Sequence, residues 1–157
     1  MAGIDVAGLL ARARAKGMRI ATAESGTGGM VAAALTDIAG SSDVFDRGFV
    51  TYSNAAKVAM LGVRPETLAA HGAVSEAVAE EMALGALRQS EAGLAVSITG
   101  IAGPGGSEFK PEGRVCFGLA TRAGARVETV DFGALGRARV RTAATEHALG
   151  LLLAELG

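Results

Sequence analysis

The chain has 157 residues, a net charge of −1, 50% hydrophobic residues and only 4% aromatics. Interspersed acids and bases, with no basic stripe and no aromatic series, argue against a nucleic-acid groove. A length near 150 residues fits one domain with a substantial core, and one cysteine with two separated histidines leaves no disulfide framework and no HExxH-type metal motif.

In chain order, residues 4–16 place Ile4, Val6, Leu9, Leu10 and Ala13 on one helical stripe, closed by Gly17. This opening stretch lacks the long apolar segment of a signal peptide. "MRIATAES" reads as a short buried strand and "GGMVAAALTDI" as a helix ending at the turn "AGSSDVFD". "FDRGFVTYS" alternates as a strand, with Ser53 and Asn54 placed to cap the helix "AAKVAMLG". Pro65 fits a first helical position. "VSEAVAEEMALGALRQS" is the clearest helix, with Ser75 as its N-cap and Val78, Met82, Ala86 and Leu87 on its stripe.

"AGLAVSITG" is a continuous apolar run, as expected of a strand covered on both faces. Cys116 lies in a similar run, where a cysteine acts as a small buried hydrophobe. A loop with two of the three prolines follows, then a hairpin, "RVCFGLATR" and "RVETVDFG", and a closing helix from residue 137. Strands separated by helices predict an α/β fold, a three-layer α/β/α sandwich around a mixed, mostly parallel sheet. No run of 18 apolar residues predicts a membrane span, so the expected location is the cytoplasm.

Ligands of such sheets sit beyond the carboxyl ends of the strands, where three loops emerge. The first, "ESGTGG", can present backbone N–H groups and the hydroxyls of Ser25 and Thr27 to an anion; the same residues also suit a tight strand–helix turn. It is not a phosphate-binding P-loop, because no lysine follows Gly29 until Lys57. Glu24, without a second carboxylate, is placed to hold a helix N-terminus or a ribose hydroxyl. The second loop, "TYSNAAK", supplies Lys57 among Ala, Val, Met and Leu. Desolvation there would lower its pKa and make it a base for a hydroxyl nucleophile, or it snorkels at a helix start. The third, "SITGIAGPGG", can bring backbone N–H groups to a ligand or form a wide turn. Ser41 and Ser42 fit turn capping or a position facing Lys57. Arg137, Arg139 and Arg141 reach a phosphate or form a solvated basic face.

"ATAESGTGG", "TDIAGSSDVFDRGFVTYSNAAKVAMLGV", "HGAVSEAVAEEMA" and "SITGIAGPGG" resemble the signature blocks of the CinA C-terminal domain family, over residues 5–155. The resemblance implies a compact α/β/α sandwich. It also implies hydrolysis of the carboxamide of nicotinamide mononucleotide by a serine–lysine pair, with no metal and no cofactor. It implies a stand-alone form of a domain that other members carry behind a further N-terminal domain, with residues 1–157 as one unit. Carried over, Lys57 is the base, Ser42 the first-choice nucleophile, Ser25 the second choice, and Tyr52 a further catalytic residue. Thr27, Gly28, Gly29, Asn54, Thr99, Gly100 and Gly103 line the substrate pocket, and Arg141 holds the phosphate. The partners expected are a small mononucleotide and further copies of the chain, in a homodimer or larger homo-oligomer, with no nucleic acid and no membrane. One departure stands out: the family's ESCTGG carries a cysteine where this chain has Gly26. A non-catalytic nucleotide-binding module and an amidase with another substrate are the alternatives. A phosphotransferase is disfavoured by the absent P-loop and acidic metal pair.

Overall fold

A computed structural model describes residues 3–157; Met1 and Ala2, included in the expected domain, lie outside the described residues. The elements are α1 (Val6–Ala15), β1 (Ile20–Glu24), α2 (Met30–Thr36), β2 (Phe45–Val50), α3 (Asn54–Leu61), α4 (Pro65–His71), α5 (Glu76–Arg88), β3 (Leu94–Gly100), β4 (Arg114–Thr121), β5 (Gly124–Asp131) and α6 (Arg137–Leu156). A short 3-10 turn, Ser41–Asp43, precedes β2.

Local chemistry sets the boundaries. Asp5, Ser53 and Ser75 accept hydrogen bonds from the amides of Gly8, Ala56 and Val78, capping α1, α3 and α5. Pro65 opens α4, where its missing N–H costs nothing. The helix expected from "GGMVAAALTDI" begins only at Met30, because its N-cap, Gly29, has φ +106°, a left-handed conformation.

The five strands lie in the order β2-β1-β3-β4-β5. β1 pairs in parallel with β2 and β3, while β4 runs antiparallel to both β3 and β5. Four strands therefore point one way and β4 the other, as in the expected mixed sheet. Alternation along the strands divides the core. Ile20, Leu94, Val96, Ile98, Val115 and Phe117 face α1, α2 and α6 on one side. Ala21, Ala23 and Ala95 face α3 and α5 on the other, against Leu61, Val78 and Met82. Small residues let this second layer sit close: a Cβ on Gly118 would lie 2.5 Å from the Ala79 carbonyl of α5. The carboxyl ends of β2, β1 and β3 thus emerge together, with α3 and α5 packed beneath one face and α6 beneath the other.

Candidate active site

Lys57 occupies a core position. It shares the buried stripe of α3 with Leu61, one turn further on, and is only 1% exposed. Its Nζ donates to the carbonyl oxygens of Thr51 at 2.8 Å and Tyr52 at 3.4 Å, and lies 3.1 Å from Ser25 Oγ. Burial lowers the Lys57 pKa from 10.5 to about 8, against a smaller opposing pull from the negative charge of Glu108. Two carbonyls can take the two protons of a neutral amine, which leaves its lone pair for the Ser25 hydroxyl. In its neutral form the lysine can accept the proton of this serine.

Ser25 follows the last residue of β1, and its amide is tied to Ile98 O of β3 at 3.0 Å. The turn behind it is held by Glu24, buried at 1% exposure. The Glu24 carboxylate accepts from Thr27 Oγ1 at 2.6 Å and from the amides of Val31 and Ala32 at 3.0 and 3.1 Å. It therefore holds the N-terminus of α2, one of its two expected tasks, where helix dipole and free N–H groups favour a carboxylate.

A cleft of about 270 Å³ lies over this pair. Ser25, Gly26, Tyr52, Asn54, Lys57, Thr99 and Gly100 form its floor and sides, with Glu108 and Arg137 at its rim. Thr99 Oγ1 is itself bound to Ala73 O at 2.9 Å. Arg137, from the first turn of α6, donates to Tyr52 Oη at 2.6 Å and to Gly103 O at 2.7 Å.

Several expected positions fall elsewhere. Ser42 does not face Lys57. It lies in the 3-10 turn before β2, at the amino end of the sheet, where its carbonyl accepts from Arg19. The length of β1, at about 3.3 Å per residue, separates it from Ser25. The hydroxyl of Thr27 is spent on Glu24 rather than on the cleft. Gly28 and Gly29, with φ +58° and +106°, form the strand–helix turn and do not line the cleft. Gly103 reaches the site only through its carbonyl, bound to Arg137. Arg141 is directed away from the cleft: its Nε and Nη2 donate to Gly26 O and Thr27 O at 2.9 and 3.4 Å, which braces the Ser25 loop. Tyr52 meets Lys57 through its main-chain carbonyl, while its phenol is turned to the exposed Arg137. Glu108 was not singled out by sequence reasoning; its only signal was an acid inside a glycine- and proline-rich loop.

The fold and this site define a class, an α/β/α sandwich with a serine–lysine pair at the carboxyl edge of its parallel strands. The chain belongs to the CinA C-terminal domain family, whose model matches residues 6–156. It is 57% identical over 140 residues to nicotinamide-nucleotide amidohydrolase PncC of Escherichia coli K12, covering 88% of this chain and 85% of that protein. It is 52% identical to a putative competence-damage inducible protein of Symbiobacterium thermophilum, covering 87% of this chain and 34% of that longer one. Among solved structures, competence/damage inducible protein CihA of Agrobacterium tumefaciens superimposes with a TM-score of 0.88 at 49% identity, over 96% of this chain and 94% of that one. A competence or damage-inducible protein of Enterobacter asburiae reaches a TM-score of 0.93 at 35% identity, over 97% and 96%.

Proposed function

We propose that this chain hydrolyses the carboxamide of nicotinamide mononucleotide to nicotinate mononucleotide and ammonia, with Ser25 as nucleophile and Lys57 as general base. The observation that carries the reading is the buried Lys57 amine, 3.1 Å from Ser25 Oγ in a cleft and with its pKa brought to about 8. Similarity to PncC supplies the substrate.

In this reading neutral Lys57 takes the hydroxyl proton as Ser25 Oγ attacks the amide carbon. In the same reading the N–H of Gly26, next in the chain to the nucleophile and lining the cleft, stabilises the oxyanion. Lys57 passes its proton to the departing nitrogen, ammonia leaves, and an ester to Ser25 remains. Water then attacks the ester, giving its proton to Lys57, which returns one to Ser25 as nicotinate mononucleotide departs. No step requires a metal. Arg137, at the cleft rim, replaces Arg141 as the phosphate partner. A homo-oligomer belongs to the same reading and is testable by light scattering.

Ammonia release from nicotinamide mononucleotide in the presence of a chelator tests the proposal. Ser25→Ala and Lys57→Ala should each lower kcat by at least about a thousandfold, while Ser42→Ala retains wild-type activity. Full activity in Ser25→Ala would exclude it as nucleophile. Tight nucleotide binding without turnover by folded wild-type protein would favour a non-catalytic binding module.

A further inference from the structure

The charged side chains lining the cleft are Lys57, Arg137 and Glu108. Lys57 is committed to Ser25 and two carbonyls, and Arg137 to Tyr52 and Gly103. Glu108 is the anion, and the serine–lysine chemistry gives it no task. For the base it is a handicap, because its negative charge favours the protonated lysine. For the tetrahedral oxyanion it is also repulsive. A carboxylate that opposes the chemistry and still lines the site calls for a different partner.

Its placement is built. Glu108 and Phe109 have φ +51° and +61°, both left-handed, the conformation of a two-residue primed hairpin turn. The turn is closed by Ser107 N to Lys110 O at 3.0 Å and Lys110 N to Ser107 O at 2.8 Å. Lys110 in turn is anchored through its Nζ to His71 O at 2.7 Å and Val74 O at 2.5 Å. The carboxylate lies over Gly72, where a Cβ would come within 2.3 Å of Glu108 Oε2 and 3.0 Å of Lys110 Nζ, an amine already donating to two carbonyls. A bare backbone at residue 72 leaves room for the acid, and a pinned hairpin keeps it at the cleft mouth. Neither residue of the turn is a glycine, so the left-handed backbone is held by its surroundings.

We infer that Glu108 is a specificity-determining residue that recognises the positive charge of an N-substituted pyridinium ring. This rests on the functional reading above, since a nicotinamide nucleotide carries its carboxamide on such a cationic ring. With Arg137 toward the phosphate and Glu108 toward the ring, the cleft's two rim charges complement the two charges of the substrate. The product gains a carboxylate at the ring, which Glu108 repels, favouring release.

The test compares wild type with Glu108→Gln by two measurements. One is kcat/KM for nicotinamide mononucleotide. The other is the inhibition constant of the neutral isostere, the benzamide C-riboside 5′-phosphate, in which carbon replaces the ring nitrogen. Measured on the alkaline plateau, where Lys57 is neutral in both proteins, Glu108→Gln should lower kcat/KM for the cation by about tenfold and leave binding of the neutral isostere unchanged or tighter. It should also move the acidic limb of the pH–rate profile to lower pH, because a negative charge near Lys57 is gone. An equal loss for both ligands, or no loss for either, would overturn the inference while leaving the amidase reading intact. Absence of ammonia release by folded wild-type protein would remove the amidase reading, and this inference with it.

Discussion

At the scale of residues, the site turns on one amine in an apolar layer. Lys57 has a pKa near 8 because burial penalises its charge. A base is active when unprotonated, so kcat/KM should rise with pH and level off above about 8. A pH–rate profile with single-proton dependence near that value checks this; a flat profile from pH 5 to 9 would exclude Lys57 as the base. Gly26 is the second residue of interest. It has no left-handed φ, and a Cβ there would meet only Gly100 O at 3.7 Å, an ordinary contact. The backbone therefore does not require glycine. Gly26→Cys should fold with a Tm within about 2 °C of wild type, and any change in KM measures what the side chain adds to the cleft that residue 26 lines. A large drop in Tm would show that the loop depends on glycine.

At the scale of elements, Glu24 joins β1, the Ser25 turn and α2 through three hydrogen bonds. Removing it strips the helix of its cap and leaves the buried Thr27 hydroxyl without a partner. Glu24→Ala should cost about 2–4 kcal/mol by urea unfolding, and lower kcat because the proposed nucleophile, Ser25, sits inside the disturbed turn. A loss below about 1 kcal/mol would mean the cap is dispensable. This turn also shows how far the sequence could be read. Ser53, Ser75, Pro65 and the strand–helix order were legible because caps and periodicities act over three or four residues. That Lys57 was partly desolvated was legible from its apolar neighbours. The choice between Ser25 and Ser42 was not. Ser42 is the nearer of the two to Lys57 along the chain, with Ser25 32 residues away, but they flank opposite ends of parallel strands, and only the pairing of β1 with β2 and β3 determines which end holds the amine. The arrangement of the arginines was not legible for a related reason: Arg137 and Arg141 lie one turn apart, and the sequence does not show which of them braces the loop and which lines the cleft.

At the scale of the whole molecule, a lysine at 1% exposure is a stability defect. Its pKa falls from 10.5 to about 8 on folding, which corresponds to roughly 3 kcal/mol at neutral pH. The sign follows from linkage. Below pH 8 both states hold the proton, and the penalty is fully present. Between about 8 and 10.5 the unfolded chain binds more protons than the folded one, so stability gains with rising pH through that window. Lys57→Met keeps the side-chain volume and removes the charge, but gives up two carbonyl hydrogen bonds of about 1 kcal/mol each. The variant should therefore be inactive and yet more stable than wild type by about 1 kcal/mol at pH 7, a rise in Tm of about 2–4 °C. Above pH 10 the order should reverse, since neutral lysine keeps its hydrogen bonds and no longer carries the penalty. Paired thermal melts at pH 7 and pH 10 measure the difference directly, with other titrations cancelling between the two proteins. A Met variant that is less stable at both values by the same amount would show that Lys57 is held charged at little cost. In that case the amine would not be poised to accept the proton of Ser25.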